Sequence, residues 1–380
     1  MSSPRLPRRA RLPLSVAGWP LVSAALLAAA SGCAGAEDYD AKPALDDLVH
    51  IVMLPTLSDV QARSADLSTA AAALADDPTE ESLSAAQDAW RAARSPWRGA
   101  DSFAFGPVVD QDLAGAIDWW PAKPETIEEK ITAGATIDVA YVESLGTSAR
   151  GFMAMEYLLF DSTAGDAAIL SALQGEPGAK RRAFVLALAQ SVAAKTETLR
   201  LAWDEEGGKY ALEITQAGEG SKAFTTQKAA VDELVNQMVF QADTLLNARI
   251  GKPAGKSSGG EPLPDTEESW RSDNSLADML SSLGSIESIY QGKYGDQDGL
   301  GMTDLVRARS AAVDDRVQGA FADARKKIEA IPPPFRTAVV DHAAEVDAAF
   351  EATRTLKRAL ATEVVSALGS TLRFNDADGD

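Results

Sequence analysis

The 380 residues hold one cysteine and two histidines, so the side chains that most often carry metal or nucleophilic chemistry are nearly missing. A lone cysteine, Cys33, permits no intramolecular disulfide, and stability must come from a packed core, which a chain of this length can supply. His50 and His342 cannot build a His-rich zinc centre, and no His-Glu-x-x-His pair is present. A Ser-His-Asp triad would have to recruit one of the two, yet no Gly-x-Ser-x-Gly marks a nucleophile. Positive charge is also short, with 36 Lys and Arg against 56 Asp and Glu, a net −20. Four of those arginines and no acids lie in residues 1–32, which leaves 32 against 56, or −24, beyond them. That balance excludes nucleic acid as a partner and a basic patch for anionic lipid. Period-two alternation bounded by hairpin turns is absent as well, which argues against a sheet.

The N-terminus reads as an export signal. Arg5, Arg8, Arg9 and Arg11 form a basic flank, and an apolar stretch runs from Leu12 through Ala30, broken by Pro13, Gly18 and Pro20. A short apolar run with that flank and small residues at its end is a secretory signal rather than a membrane span. The closing Ala30-Ser31-Gly32-Cys33 resembles a bacterial lipobox, with Ala30 where leucine is usual. Cys33 would then be the lipidated first residue of the mature chain and its anchor in a membrane. Ordinary cleavage leaving a free thiol is the alternative. The expected location is the periplasm or the cell-envelope membrane.

Beyond a tether at 33–43 the pattern is helical. Leu45, Leu48, Val49, Val52, Leu57, Val60, Leu67 and Leu74 recur at helical spacing, with Pro55 expected to kink or interrupt the segment. Asp77-Pro78-Thr79-Glu80 reads as a helix start capped by Asp77. The helix that follows carries Trp90, Arg94 and Trp97 on one face. Residues 99–124 break the periodicity and hold Phe103, Phe105, Trp119 and Trp120, a long aromatic loop of the kind that often carries function. Helices are predicted near 125–133, 138–145, 147–160, 178–205, 225–250, 275–290, 303–330 and 334–368. The spacing predicts an all-α fold of antiparallel bundles. The expected division is a signal peptide at 1–32, an N-terminal bundle at 44–250, a linker or interface segment at 251–274, and a C-terminal bundle at 275–380.

The run Arg150-Gly151-Phe152-Met153-Ala154-Met155-Glu156-Tyr157-Leu158-Leu159-Phe160 resembles the signature of the imelysin family, Gly-x-His-x-x-Glu followed by Tyr-Leu-Leu-Phe/Trp. Gly151 and Glu156 are in place, and Met153 stands where the family has histidine. Further blocks agree in order. Trp90 to Trp97 with Phe103-Ala104-Phe105-Gly106-Pro107 is similar to the family's first block, and Ile117-Asp118-Trp119-Trp120-Pro121 to its Ile-x-x-Trp-Pro block. Ser275 to Gly292, Leu368-Gly369 and Phe374 to Asp380 are similar to its C-terminal part. The resemblance implies two helical bundles related by duplication, although no convincing internal repeat is visible. It also implies a polar site between them that includes Glu156.

An intact His/Glu pair at i, i+3 could offer a nitrogen and a carboxylate to one cation, whereas a thioether is a weak, soft donor. Glu156 is therefore the first candidate residue, with a divalent metal ion as the ligand the family suggests; a salt-bridged helix glutamate is the plain alternative. Met153 and Met155 also suit core filling. Arg94, between Trp90 and Trp97, suits a stacked guanidinium presented to a carboxylate, or packing between bundles. Glu268, Ser272 and Asn274 could complete the polar site, while Ser272 or Asn274 could equally cap a helix. Asn375-Asp376-x-Asp378-Gly379-Asp380 lacks the rest of a calcium loop and reads as a tail. The expected function is a noncatalytic binding or accessory lipoprotein of the envelope, linked to uptake of iron or another metal, with a transport or redox partner. A metallopeptidase using Glu156 and a structural, partner-binding envelope protein are the alternatives. Hydrolysis is disfavoured, because a metallopeptidase needs a held metal, a bound water and a general base.

Overall fold

The computed structural model describes residues 40–134 and 136–373. The export segment, Cys33, most of the tether and the acidic tail from Asn375 to Asp380 lie outside the described residues. The chain enters its first helix at Lys42, ahead of the expected start, and Gln227 Oε1 accepts from the Ala41 amide at 2.7 Å. The helix Lys42–Asp47 runs through a wide π turn at Leu48–Met53 into Leu54–Asp76. Pro55 therefore interrupts nothing. It falls in the first turn after the wider coil, where a missing N–H costs least.

The apolar spacing seen in the sequence is the buried stripe. Leu57, Val60, Leu67, Ala71 and Leu74 are all buried on Leu54–Asp76. Each fully buried Leu or Val contributes about 1.5–3 kcal/mol. This helix packs between Glu80–Gly99 and Gly175–Trp203, and Gly151–Leu159 lies against both of the latter. Among the later helices, Ala311–Glu329 and Ala343–Arg358 pack together. Ser275–Gln291 joins the two groups by lying on both Glu80–Gly99 and Ala311–Glu329. Gln227–Asp243 also packs on Ser275–Gln291 and Ala343–Arg358. One continuous apolar core runs from Ala41 to Leu368. The fold is all-α; the strand among the described residues is a two-residue antiparallel pair, Lys293–Tyr294 with Gln297–Asp298.

Several helix ends differ from expectation. The helix at 80 is capped by Thr79, not Asp77: Thr79 is extended and shares a reciprocal capping box with Ser82. The Thr hydroxyl reaches an amide three residues on, and Pro78 stays outside the helix. The aromatic loop is not free of structure. It holds short turns at Asp101–Phe103, Pro107–Asp110 and Leu113–Ile117. The 303–330 segment breaks at Ser310, whose side chain caps Ala311–Glu329 by accepting from the Val313 amide. The 334–368 segment breaks at His342. Short helices at Asp166–Leu173 and Tyr210–Thr215 had no clear periodic signal.

Candidate functional site

The signature does not begin as one helix at Thr147. A 3-10 turn, Thr147–Ala149, is followed by extended Arg150, and the helix proper is Gly151–Leu159. Gly151 explains the break: its φ is +74°, and a Cβ there would lie 2.3 Å from the Ile117 carbonyl oxygen. Only glycine allows both the left-handed conformation and that backbone approach. The close contact seats the signature helix against the turn that carries Asp118.

From that helix Glu156 projects inward, with its residue only 3% exposed. Its Oε1 accepts three hydrogen bonds, from the Arg271 amide at 3.1 Å, the Ser272 amide at 3.0 Å and the Ser272 hydroxyl at 2.8 Å. Left-handed residues on either side, Ser269 at φ +55° and Asp273 at φ +52°, coil this segment so that successive amides converge on the carboxylate. Burial pushes the Glu156 carboxyl up, and the Ser272 bonds and the Arg94 charge pull it part of the way back. Ser272 is thus spent on Glu156. Neither it nor Asn274 caps the helix Ser275–Gln291; the Asn274 amide instead donates to Asp278 at 2.9 Å.

Glu156 and Met153 line a recess of about 120 Å³ with Trp120, Pro121, Ala122, Asp265, Trp270 and Arg271. The free Glu156 Oε2, the Met153 thioether, the Arg271 guanidinium and the mostly exposed Asp265 carboxylate are the chemistry this recess presents. One buried carboxylate oxygen and one exposed carboxylate paired with Arg336, beside a soft sulfur and a fixed positive charge, do not fit the donor set of a zinc or iron centre. Among the described residues no group of three or more His, Cys, Asp or Glu is placed to hold a metal ion. His50 pairs with Glu205 on the surface, and neither histidine lines the recess.

Behind Glu156 lies a buried ion network. Arg94 is fully buried and spends its whole fork on three carboxylates: Asp118 at 2.6 Å, Glu268 at 2.8 Å and Asp278 at 3.0 Å. Its guanidinium also lies 5.6 Å from the Trp90 ring centroid and 5.8 Å from that of Phe152. Burial works against the Arg94 charge, but the three carboxylates outweigh it and hold its pKa well above the ordinary value. Arg98 meets Asp118 at 2.7 Å and also pairs with Glu268 and Asp101. Arg249 reaches Asp101 at 3.0 Å and Glu268 at 3.3 Å. Burial alone would raise Glu268; the guanidiniums of Arg98, Arg249 and Arg94 together overturn that and hold it at about 2.

The structure therefore divides the candidate residues. Met153, Glu156 and Ser272 meet at the recess. Arg94 and Glu268 belong to the adjoining network, Trp90 donates to the Phe152 carbonyl at 3.0 Å, and Trp97 donates to Asp118 at 3.0 Å. Met155 is core. Sequence reasoning missed Arg98, Asp101, Arg249, Asp278, Trp270 and Arg271, and it named Asp118 and Trp120 in the aromatic loop and a family block without giving them a role at the site. The spacing of Arg94, Arg98 and Asp101 at i, i+4 and i+7 was the available signal.

With this geometry in place, comparison with known proteins gives the family. The imelysin model, of the M75 peptidase class, matches residues 53–362. The chain belongs to the imelysin family. It is 27% identical over 310 residues to iron-regulated protein A of Synechococcus elongatus, covering 81% of this chain and 80% of that protein. Its fold is similar to a solved structure described as an iron-regulated protein A precursor from Parabacteroides distasonis. There the TM-score is 0.75 at 23% identity, covering 88% of this chain and 97% of that one. An imelysin-like protein from Psychrobacter arcticum gives a TM-score of 0.71 at 17% identity, over 89% and 99% of the two chains. Among the described residues no helix is long and apolar enough to cross a membrane.

Proposed function

We propose that this protein is a noncatalytic ligand-binding component of the bacterial cell envelope, held to the membrane by a lipid on Cys33 and serving an iron-related uptake process. The observation that carries the reading is the recess at Glu156. It is a small polar site built by the signature helix and the 269–274 segment, and it lacks the donors hydrolysis would need. A metallopeptidase keeps three protein ligands and an activated water. Here Oε1 of the one signature carboxylate is committed to three protein donors, and the histidine position is a buried thioether. The iron connection rests on the resemblance to iron-regulated protein A, and the envelope location on the N-terminal signal.

The test restores the family residue. In calorimetric titrations of residues 34–380, the natural protein should take up zinc or ferrous iron weakly. Met153→His adds a nitrogen donor one turn from Glu156 and should raise the affinity measurably, and adding Glu156→Ala should abolish the gain. Tight metal binding by the natural protein that survives Glu156→Ala would place a metal site elsewhere and overturn the reading of the recess. Peptide hydrolysis by the natural protein that is lost in Glu156→Ala would establish the peptidase instead.

A further inference from the structure

Arg271 is the group in this molecule whose chemistry is least accounted for. Its backbone amide serves Glu156, but its guanidinium makes no ion pair and no side-chain hydrogen bond among the described residues. The other arginines around it are spent: Arg94, Arg98 and Arg249 share four carboxylates, and Arg181 pairs with Glu128 at 2.6 Å. In a chain with 56 acidic against 36 basic residues, acid partners are abundant. A half-buried guanidinium that meets none of them has five donors held in reserve.

Its position is nevertheless fixed. The guanidinium carbon lies 4.2 Å from the ring centroid of Trp270 and 5.2 Å from that of Tyr157. Trp270 also carries Arg336, at 4.7 Å. Ring faces orient a guanidinium without using its N–H groups, which stay free along its edge. The nearest acids act on Arg271 from beyond pairing distance: Glu156 and Asp161 favour its charge, while burial and Arg336 oppose it. Burial outweighs them and lowers its pKa, so the charge is under-compensated as it stands. Arg336 itself has Asp265 at 3.4 Å, a carboxylate 92% exposed and therefore mostly in water.

Arg271 lines the recess, and opposite kinds of surface meet there. Trp120, Pro121, Trp270 and Met153 give it apolar and ring walls, and the guanidinium gives it one strong anion-matching edge. Of the two lining carboxylates Asp265 lies mostly in water beside Arg336, which leaves Glu156 as the buried one. A volume of about 120 Å³ is close to that of the cavities of about 150 Å³ that accept benzene. We propose that the recess binds a small carboxylate whose body is flat and apolar, with the ligand carboxylate on the Arg271 fork and its body against Trp120, Trp270 and Met153. This deepens the binding-component reading and rests on it. Guanidinium and carboxylate match edge to edge through two parallel N–H···O bonds, which fixes orientation as well as affinity. Arg336, on the same indole, offsets the charge of the lining residue Asp265, which it meets at 3.4 Å. Glu156 Oε2 makes no hydrogen bond among the described residues and supplies the limit on the other side, since it rejects a second negative group on the ligand.

The probes are benzoate, benzyl alcohol and benzylammonium, which share a ring and differ in charge. Each is titrated into residues 34–380 by calorimetry, with the indole N–H resonances of Trp120 and Trp270 followed by NMR. Benzoate should bind, shift both indoles, and bind at least tenfold tighter than either other probe. Arg271→Gln should lose tenfold or more in benzoate affinity. Arg271→Lys, which keeps the charge and loses the fork, should fall between. Glu156→Gln should bind benzoate more tightly than the natural protein, because a like charge is removed. Equal benzoate affinity in the natural protein and in Arg271→Gln overturns the proposal, even if one variant is less stable than the other. Preference for the alcohol or the ammonium probe with the same indole shifts also overturns it, while leaving a ligand-binding recess. No indole shift with any probe removes both the carboxylate ligand and the binding-component reading.

Discussion

Replacing Arg94 by methionine is the most demanding test of the buried network, because it predicts a magnitude and a pH dependence together. Methionine fills much of the volume against Trp90 and Phe152 and removes only the charge and the fork. Three carboxylates lose a partner. Glu268 keeps Arg98 and Arg249, Asp118 keeps Arg98 and the Trp97 indole, and Asp278 keeps the Ser269 hydroxyl at 2.6 Å and the Asn274 amide. The cluster changes from three guanidiniums against four carboxylates to two against four. Breaking a buried pair by deleting one partner costs about 3–5 kcal/mol, most of it from the charge left behind. We expect a loss in that range at pH 7.5, measured by urea unfolding followed through tryptophan fluorescence and far-ultraviolet circular dichroism.

The sign of the pH dependence separates this from a packing defect. In the natural protein Glu268 is held at about 2, below its ordinary 4.5. Its contribution is therefore present above pH 4.5 and lost as the pH falls towards 2. In Arg94→Met the surplus negative charge makes the folded cluster take up a proton more readily than the unfolded chain. The variant's deficit should then shrink as the pH falls from 7.5 to 5.5. Comparing both proteins at each pH cancels whatever other groups contribute. Adding Asp278→Asn should recover part of the loss at pH 7.5 and flatten the difference. A deficit under about 1 kcal/mol, or one that is equal at both pH values, would refute the reasoning.

Glu267 predicts the opposite slope. Burial pushes its carboxyl up to about 7. Because the folded value lies above the unfolded one, its effect is absent below pH 4.5, and it destabilises progressively as the pH rises through 7. Glu267→Gln should therefore gain up to about 3 kcal/mol relative to the natural protein between pH 5 and pH 8 in urea titrations; a constant difference would show that the carboxyl is ionised throughout. Gly151→Ala forces a side chain into a left-handed position against the Ile117 carbonyl and should cost at least about 2 kcal/mol, read as a lowered melting temperature; an unchanged melting temperature would mean that the turn can shift freely. Cys33→Ala should move the full-length protein from the membrane to the soluble fraction, since each lost lipid methylene is worth about 0.8 kcal/mol; retention through a high-salt wash would mean that Cys33 is not the anchor.

The elements legible in the sequence were those whose signal is local. Leu57 to Leu74 repeat at helical spacing, and the stripe they form is the buried one. Ends were less legible, because Asp77 and Thr79 are both good caps, and only the backbone at Thr79, extended and within reach of Ser82, decides between them. Ser310 and His342 end helices that the apolar pattern carries straight through. At the site, Glu156, Met153, Arg94, Glu268 and Ser272 could be named from the family's blocks, but their roles could not. Arg94 and Asp278 are 184 positions apart and Glu156 and Ser272 are 116 apart, and no periodicity reports such pairings. Arg271 was missed because its significance is the lack of a partner, which only the packed structure reveals.

The network and the recess are connected through one short segment. Arg94 Nε donates to Asp278 Oδ2, and the Ser269 hydroxyl donates to that same oxygen. Ser269 begins the left-handed coil that aims the amides of Arg271 and Ser272 at Glu156. Glu268, the residue before it, is gripped by three guanidiniums. Glu268 is thus pinned by Arg94 and Arg98 of the helix Glu80–Gly99 and by Arg249, and Ser269 by the Asp278 carboxylate that Arg94 also holds, so the rest of the segment has little freedom left. Buried ion pairs are weak devices for stability but can fix one arrangement among several. Here the arrangement they fix holds the Arg271 side chain over Tyr157 and Trp270 with its N–H edge unspent. Arg94 is not among the lining residues and acts on them through its charge on Glu156, yet its removal should also loosen the register of the segment that forms one wall. Benzoate affinity in Arg94→Met should therefore fall although every lining residue is intact, and Arg94→Met with Asp278→Asn should not restore it, because relieving the surplus charge does not replace the lost pin. Unchanged benzoate affinity in Arg94→Met would show that the recess is positioned without the network.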